Sequence, residues 1–249
     1  MKNAPTPEPI KKAESEADAV RLRYARRDQA ALDWRYHRLN PAALWPALER
    51  ERALAKQLLR HVGGDITQLR RLRLLEVGCG TGGNLLDMLR LGFAPENLAG
   101  VELLPERHQV ARCLLPAGVQ LWLGDAMQLD VPPASMDLLL QSTVFSSLLD
   151  DAYQQRLATQ MWRWLKPGGA LIWYDFTMNN PRNPDVRGVP LRRVRALFPQ
   201  GEFQTQRITL APPLARWAIK LHPSLYTVLN VWPALRTHLL AWIVKPLHE

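Results

Sequence analysis

From Leu72 onward, short apolar runs alternate with segments of helical spacing, the texture of βα units feeding a parallel sheet. The runs predict strands over 72–77, 98–103, 119–123, 136–141 and 170–176, with helices between them. The clearest of these helices follows Asp150-Asp151, where Tyr153, Leu157, Met161 and Trp164 recur on one face until LKPGG stops it. Beyond the irregular stretch TMNNPRNPDVRG, a short helix is expected around PLRRVRALFP, then strands over 203–210 and 237–244. The segment 211–235 between those strands is too long for a hairpin turn. It reads as a helical cover folded over one face, cut into short pieces by Pro212, Pro213, Pro223 and Pro233, with Trp217, Tyr226 and Trp232 as core residues.

Upstream, residues 1–19 are rich in Pro, Lys, Glu and Ala without apolar periodicity and predict a mobile tail. A basic helix is expected from about residue 20 to Asn40-Pro41, and a second helix ends at Gly63-Gly64. The organisation predicted is one domain over 20–249: an N-terminal helical lid (20–70), a core (71–176), and further elements with the last strands (177–249).

Composition narrows the class. A hydrophobic content of 47% and a charged content of 22% belong to a globular chain. The most apolar stretch, 221–244, is interrupted by His222, Pro223, Asn230, Pro233, Arg236 and His238, which argues against a spanning helix. The polar start of the chain lacks the apolar segment of a secretory signal, and Cys79 and Cys113 are its two cysteines, so the expected location is cytoplasmic. The net charge of +9 is unevenly divided. Residues 1–73 carry 16 Lys and Arg against 9 Asp and Glu, residues 74–176 carry 6 against 11, and residues 177–249 carry 10 against 3. Basic flanks around an acidic middle suit phosphates, anionic lipid or nucleic acid, though such an excess also serves solubility.

The candidate chemistry begins at LLEVGCGTGGNLLDML, where a strand ends at Glu76, a glycine-rich turn follows, and a helix begins near Asn84. Gly78, Gly80 and Gly82 permit positive φ and let backbone approach a ligand. Glu102 ends the next strand, where a carboxylate can accept both hydroxyls of a ribose. Asp125 follows the third strand in LGDAMQLD and could accept an adenine amine, with the Ala126 amide facing a ring nitrogen. A nicotinamide enzyme would place pyrophosphate on the helix N-terminus, but Glu76 would repel that anion and suits an ammonium group. Taken singly, Glu102 is equally well a solvated strand end and Asp125 a turn former.

The order of EVGCGTG at 76–82, GVEL at 100–103, GDA at 124–126, DLLLQ at 137–141 and LKPGGALIWYDF at 165–176 resembles the class I S-adenosylmethionine-dependent methyltransferases. The resemblance implies a Rossmann-like α/β fold: a seven-stranded, mostly parallel sheet with helices on both faces and a helical insertion before the last strand. It also implies S-adenosylmethionine as cofactor. Glu76, the 78–82 turn and Asn84 would hold the methionine end, with Gln141 beside it; Glu102 and Leu103 would hold the ribose, and Asp125 and Ala126 the adenine. QSTVFSSLLDD, RITLAPPLAR and LRTHLLAWIVKP further resemble type 11-like bacterial methyltransferases of surface-polysaccharide or secondary metabolism. That implies a small-molecule or glycan-precursor acceptor, with peripheral membrane contact left open.

Methyl transfer from a sulfonium is an in-line displacement in which aligning the acceptor and excluding water are the main tasks. Tyr174, Asp175 and Asn179 follow the fifth strand, where ligands of open α/β sheets bind, and Asp175 is a candidate base. The alternative is that Asp175 caps the turn there. His37, carried by the lid, is a second candidate base and equally a surface residue; Tyr24, Arg27, Arg35 and Tyr36 would help close the site. QSTVFSS stands where exocyclic-amine nucleic-acid methyltransferases carry Asp/Asn-Pro-Pro-aromatic, neither cysteine is placed for pyrimidine C5 attack, and no acidic cluster suggests a metal. An RNA-directed methyltransferase, or a non-catalytic cofactor-binding module with basic flanks, is the competing reading.

Overall fold

The computed structural model describes residues 15–26, 34, 37–181 and 183–247. Its sheet has seven strands in the order β3-β2-β1-β4-β5-β7-β6. The strands are β1 (Leu74–Val77), β2 (Leu98–Glu102), β3 (Gln120–Leu123), β4 (Met136–Ser142), β5 (Leu165–Phe176), β6 (Glu202–Leu210) and β7 (Arg236–Val244). The first five are mutually parallel, while β7 runs antiparallel to both β5 and β6. Strand order reverses beside β1, so the ends of β1 and β4 open a crevice at the sheet's carboxyl edge, the switch-point geometry at which α/β sheets bind ligands.

Side chains alternate across the sheet and feed two cores. Leu75, Val77, Leu139, Leu171 and Trp173 face one layer, completed by Tyr153, Leu157, Met161 and Trp164 of α5 (Asp151–Trp164) and Val194 of α6 (Leu191–Leu197). Leu74, Leu138, Leu140, Ile172 and Tyr174 face the other, built from α2 (Pro41–His61), α3 (Gly83–Leu91) and α4 (Pro105–Leu114). β1 is buried along its whole length, which is why its sequence is a continuous apolar run broken only by Glu76.

Four features depart from expectation. Helix α1 spans Glu16–Ala25, capped by the Ser15 hydroxyl accepting from the Asp18 amide, so residues 15–19 are structured and Ala17 is buried. Residues 1–14 and most of the basic helix predicted beyond 26, including Arg27, Arg35 and Tyr36, lie outside the described residues. β5 begins at Leu165: its LKPGG start pairs with Met136 across a register shift, and Lys166 is bonded to Asp137 at 2.6 Å. The segment 211–235 is helical, as α7 (Pro212–Leu221), α8 (Ser224–Leu229) and a 3-10 turn (Pro233–Leu235). Its small core of Leu210, Ala215 and Tyr226 rests on Trp45 of α2, so the segment covers α2 and β6 and contributes nothing to the cleft described below. Tyr226 is core, but Trp217 and Trp232 are exposed; on α7 the small Ala215 and Ala218 face inward in place of Trp217.

Candidate cofactor site

β1 ends in the glycine turn. Gly78, Gly80 and Gly82 all adopt positive φ, a region costly for other residues. Two of them also answer to protein neighbours. A Cβ on Gly78 would lie 2.5 Å from Val144 Cγ2, and one on Gly82 would lie 2.7 Å from Leu115 Cδ1. Gly80 alone of the three has open space where a Cβ would sit, and Gly78 is the one that lines the cleft. Glu102, at the end of β2, aims its carboxylate at this turn: Oε2 accepts from the Gly80 amide at 2.7 Å and Oε1 from the Leu104 amide at 2.8 Å. Each oxygen keeps a second lone pair for a hydroxyl.

On the other side of the turn Glu76 is fully buried. Asn84, in the first turn of α3, donates to its Oε1 at 2.5 Å, and Asn84 Oδ1 in turn accepts from Arg50 of α2 at 2.7 Å. Glu76 Oε2 has no partner. Burial, only partly offset by the Asn84 bond and the Arg50 charge, pushes this carboxyl up to about 8. Val77 pairs with Gln141 across β1 and β4, and Gln141 is also fully buried. Its Oε1 accepts from the Val144 amide at 3.2 Å, while its Nε2 is unpaired. The two orphan atoms stand at the ends of adjacent strands but on opposite faces of the sheet, Glu76 on the face of Leu74 and Leu140, Gln141 on that of Val77 and Leu139, and each is a buried polar group left to a further partner.

The cleft continues over Glu102, Leu103, Asp125 and Ala126. Asp125 Oδ1 accepts from the Met127 amide at 2.9 Å, capping a short 3-10 turn, and from the Tyr153 hydroxyl at 2.5 Å. Burial, then the Asp125 bond, raises the Tyr153 phenol well above its ordinary value and keeps it a donor. Helix α1 closes this end: Ala17, Val20 and Tyr24 line the cleft, and Arg107 lies 4.6 Å from the centre of the Tyr24 ring. Sequence reasoning placed Ala17 in the tail and Tyr153 in the core. Arg50 and Arg107 were also missed, since neither carries a motif.

The candidate catalytic residues do not gather in the cleft. Asp175 is fully buried, accepts from the Ser146 amide at 3.0 Å and the Phe176 amide at 2.9 Å, and is pushed by burial to about 7. Its geometry is that of a cap holding the Phe145–Ser147 turn, not of a base facing an acceptor. Tyr174, on the opposite face, shares a 2.9 Å hydrogen bond with Thr209 Oγ1, stacks on His238, and carries Arg50 5.1 Å above its ring. His37 is exposed and its Nδ1 accepts from the Leu39 amide at 3.1 Å. Asn179 Oδ1 accepts from the Gly188 amide at 2.9 Å, shaping the loop. Among the described residues there is no His, Cys, Asp and Glu group able to hold a metal.

The sheet order, the glycine turn and the carboxylate ending β2 define a Rossmann-like fold. The family described as Methyltransferase domain matches residues 75–173, from β1 into β5, so that stretch of the chain is similar to methyltransferase domains. It is 30% identical over 130 residues to a sterol 24-C-methyltransferase of Yarrowia lipolytica, covering 46% of this chain and 32% of that protein. It is 33% identical over 108 residues to a demethylmenaquinone methyltransferase of Deinococcus radiodurans, covering 42% and 43%. The chain thus spans less than half the length of either relative. Among solved structures, one described as a putative sarcosine dimethylglycine methyltransferase from Galdieria sulphuraria superposes with a TM-score of 0.57 at 14% identity, covering 80% of this chain and 86% of that one. At that identity the likeness speaks for the fold.

Proposed function

We propose that this protein transfers the methyl group of S-adenosylmethionine, by in-line displacement, to a small-molecule acceptor. The observation that carries the reading is the glycine turn whose Gly80 amide is held by Glu102, at the head of a cleft that runs on over Leu103, Asp125 and Ala126. In this reading Glu76 and Gln141 take the ammonium and carboxylate of the methionine moiety, Glu102 takes the ribose hydroxyls, and Asp125 with the Ala126 amide takes adenine. Asn84 orients Glu76 and is itself oriented by Arg50, whose Nη1 also donates to Ser142 Oγ at 3.2 Å at the end of β4. With Asp175 buried away from the cleft, positioning and exclusion of water do the work, as a sulfonium leaving group allows. The sterol and demethylmenaquinone named for the two relatives support a small-molecule acceptor, and a glycan precursor remains in the same class.

Incubating the protein with methyl-labelled S-adenosylmethionine and either an aqueous or an organic extract of cells tests this reading. Label should pass into one extract and depend on the protein. Transfer to RNA, or tight cofactor binding with no transfer to any fraction, would replace it with the nucleic-acid or binding-module alternative.

A further inference from the structure

We propose that the α7–α8 lobe is a docking surface for an anionic lipid bilayer. Its outer face has the wrong polarity for water. Trp217 is 56% exposed, Leu221 61%, Val231 66% and Trp232 55%. On α7, Ala215 and Ala218 turn inward, while Pro213, Trp217 and Leu221, spaced by four, form an apolar stripe on the exposed side. Arg216 and Lys220 flank that stripe and are exposed with it. A solvated helix ordinarily puts its charges where this one puts tryptophan and leucine.

Charge selects the occupant. From Phe203 to His248 the chain contains no Asp or Glu, and of its basic residues Arg216 and Lys220 stand on the exposed face of α7, while Arg236 is bonded to the Asn230 and Arg207 carbonyls and Lys245, at the far end of β7, to those of Trp162 and Leu165. The lobe itself therefore carries no acidic side chain, Glu49 beneath it being engaged by the Tyr226 hydroxyl and the Thr209 amide, and long basic side chains beside exposed rings suit the headgroup boundary, where stems lie in the apolar layer and heads reach phosphate. A protein interface of this size would be depleted of Lys at its centre. Nucleic acid would use the arginines and tryptophans but gains little from Leu221, Val228 and Val231, which cannot stack on bases. Two short helices separated by Pro223 lie on a surface and do not cross it, and no helix among the described residues is long and apolar enough to span a membrane. The proposal does not depend on which acceptor is methylated, because none of these residues lines the cofactor cleft.

Flotation of the full chain with vesicles of phosphatidylcholine alone, or of phosphatidylcholine mixed with phosphatidylglycerol, tests it. The protein should float with the mixed vesicles, less so as salt rises, and remain behind with the neutral ones. Trp217→Ser with Trp232→Ser should reduce the bound fraction roughly tenfold, and Arg216→Gln with Lys220→Gln should remove the preference for the anionic lipid. Affinity for S-adenosylhomocysteine should be unchanged in both variants, which reports that they are folded and separates this proposal from that for the methyl transfer. If the tryptophan pair fails to fold, the Arg216 and Lys220 pair decides alone. Failure of the wild type to float, equal binding to both vesicle types, undiminished binding in a folded variant, or binding to generic RNA in place of vesicles would overturn the proposal.

Discussion

Helix α1 flanks the cofactor cleft and the α7–α8 lobe flanks the far edge of the sheet, and the two are held in opposite ways. Helix α1 has little core of its own and is clipped by polar contacts: Arg23 donates to Glu16 at 2.6 Å and to the Ser147 carbonyl at 2.9 Å, and Glu16 accepts from the Leu149 amide at 2.7 Å. Those contacts reach the loop after β4, whose Thr143, Val144 and Ser147 line the cleft. The α7–α8 lobe has an apolar centre and is pinned by Glu49 Oε2, which accepts from the Tyr226 hydroxyl at 2.8 Å and the Thr209 amide at 3.1 Å. Thr209 has a φ of 66°, a conformation a β-branched residue adopts only when its surroundings impose it. A flank tied to the cleft's own loop should report on cofactor affinity, and a flank tied to the far edge of the sheet should report on stability.

The largest effect is expected where both flanks are bypassed. Glu102→Ala removes the acceptor of the Gly80 and Leu104 amides together with the proposed ribose contact. Loss of charge-assisted bonds of this kind costs on the order of 2–4 kcal/mol, a reduction in cofactor affinity of roughly thirtyfold to a thousandfold. Calorimetric titration with S-adenosylhomocysteine checks it, and unchanged affinity would dismiss the ribose assignment.

Glu76→Gln comes next and carries a pH signature. With its carboxyl near 8, the free protein holds a proton that an arriving ammonium would displace. Cofactor affinity of the wild type should therefore rise with pH, by up to about tenfold per unit, and level off above about 8, with proton release measurable in buffers of different ionisation enthalpy. Stability runs the other way. The unfolded carboxyl ionises near its ordinary 4.5 while the folded one stays protonated, so the free protein loses stability as pH rises from there to about 8. The Gln variant should show neither this contribution nor the proton release, and should bind about 2 kcal/mol more weakly. A wild-type affinity flat between pH 6 and pH 8 would remove the ammonium from Glu76.

What the sequence made legible follows from how local each signal is. The strands from β1 to β5 are short apolar runs between turns, and the site residues on them, Glu76, Gly80, Glu102 and Asp125, stand at strand ends that the chain itself announces. Arg50 comes to Asn84 from 34 residues away, and Tyr153 to Asp125 from 28, by packing that no spacing encodes. Ala17 and Val20 bury against the cleft although their neighbours are charged, so a polar composition concealed a two-residue apolar face. Trp217 and Trp232 are large aromatics of the kind that usually fill a core, yet both are exposed, and on α7 it is Ala215 and Ala218 that are buried, with Leu214 and Ile219 partly so. Asp175 looked catalytic by position, and its burial and two backbone donors assign it to the loop.

A smaller effect is expected at the lid. Arg23→Ala breaks a pair whose side chains are only 11% and 9% exposed and frees the Ser147 carbonyl, leaving Glu16 bonded to the Leu149 amide alone among its described partners. Because that loop lines the cleft, affinity for S-adenosylhomocysteine should weaken by roughly 1–2 kcal/mol, about five- to thirtyfold. Glu16→Gln, which keeps an acceptor for Leu149, should lose less. Equal affinity in all three proteins would mean that α1 covers the cleft without shaping it.

The smallest effect, and the sharpest test of the contrast, is Tyr226→Phe. The phenol is buried against Glu49, whose charge, after burial itself, raises it far above its ordinary value, so it is a neutral donor at any working pH. Phenylalanine keeps the ring against Trp45 and deletes one bond, leaving Glu49 with the Thr209 amide. A hydrogen bond to a charged acceptor contributes about 1.5–3 kcal/mol where desolvated; here Glu49 retains its second donor and water can reach the partly buried site, so a loss of about 1 kcal/mol is expected. Thermal unfolding should register that as a modest fall in Tm, with cofactor affinity unchanged, because nothing in the Glu49 cluster lines the cleft. A variant with wild-type Tm and weakened cofactor binding would invert the assignment, making the lobe the part coupled to the site through Thr209, Tyr174 and Arg50.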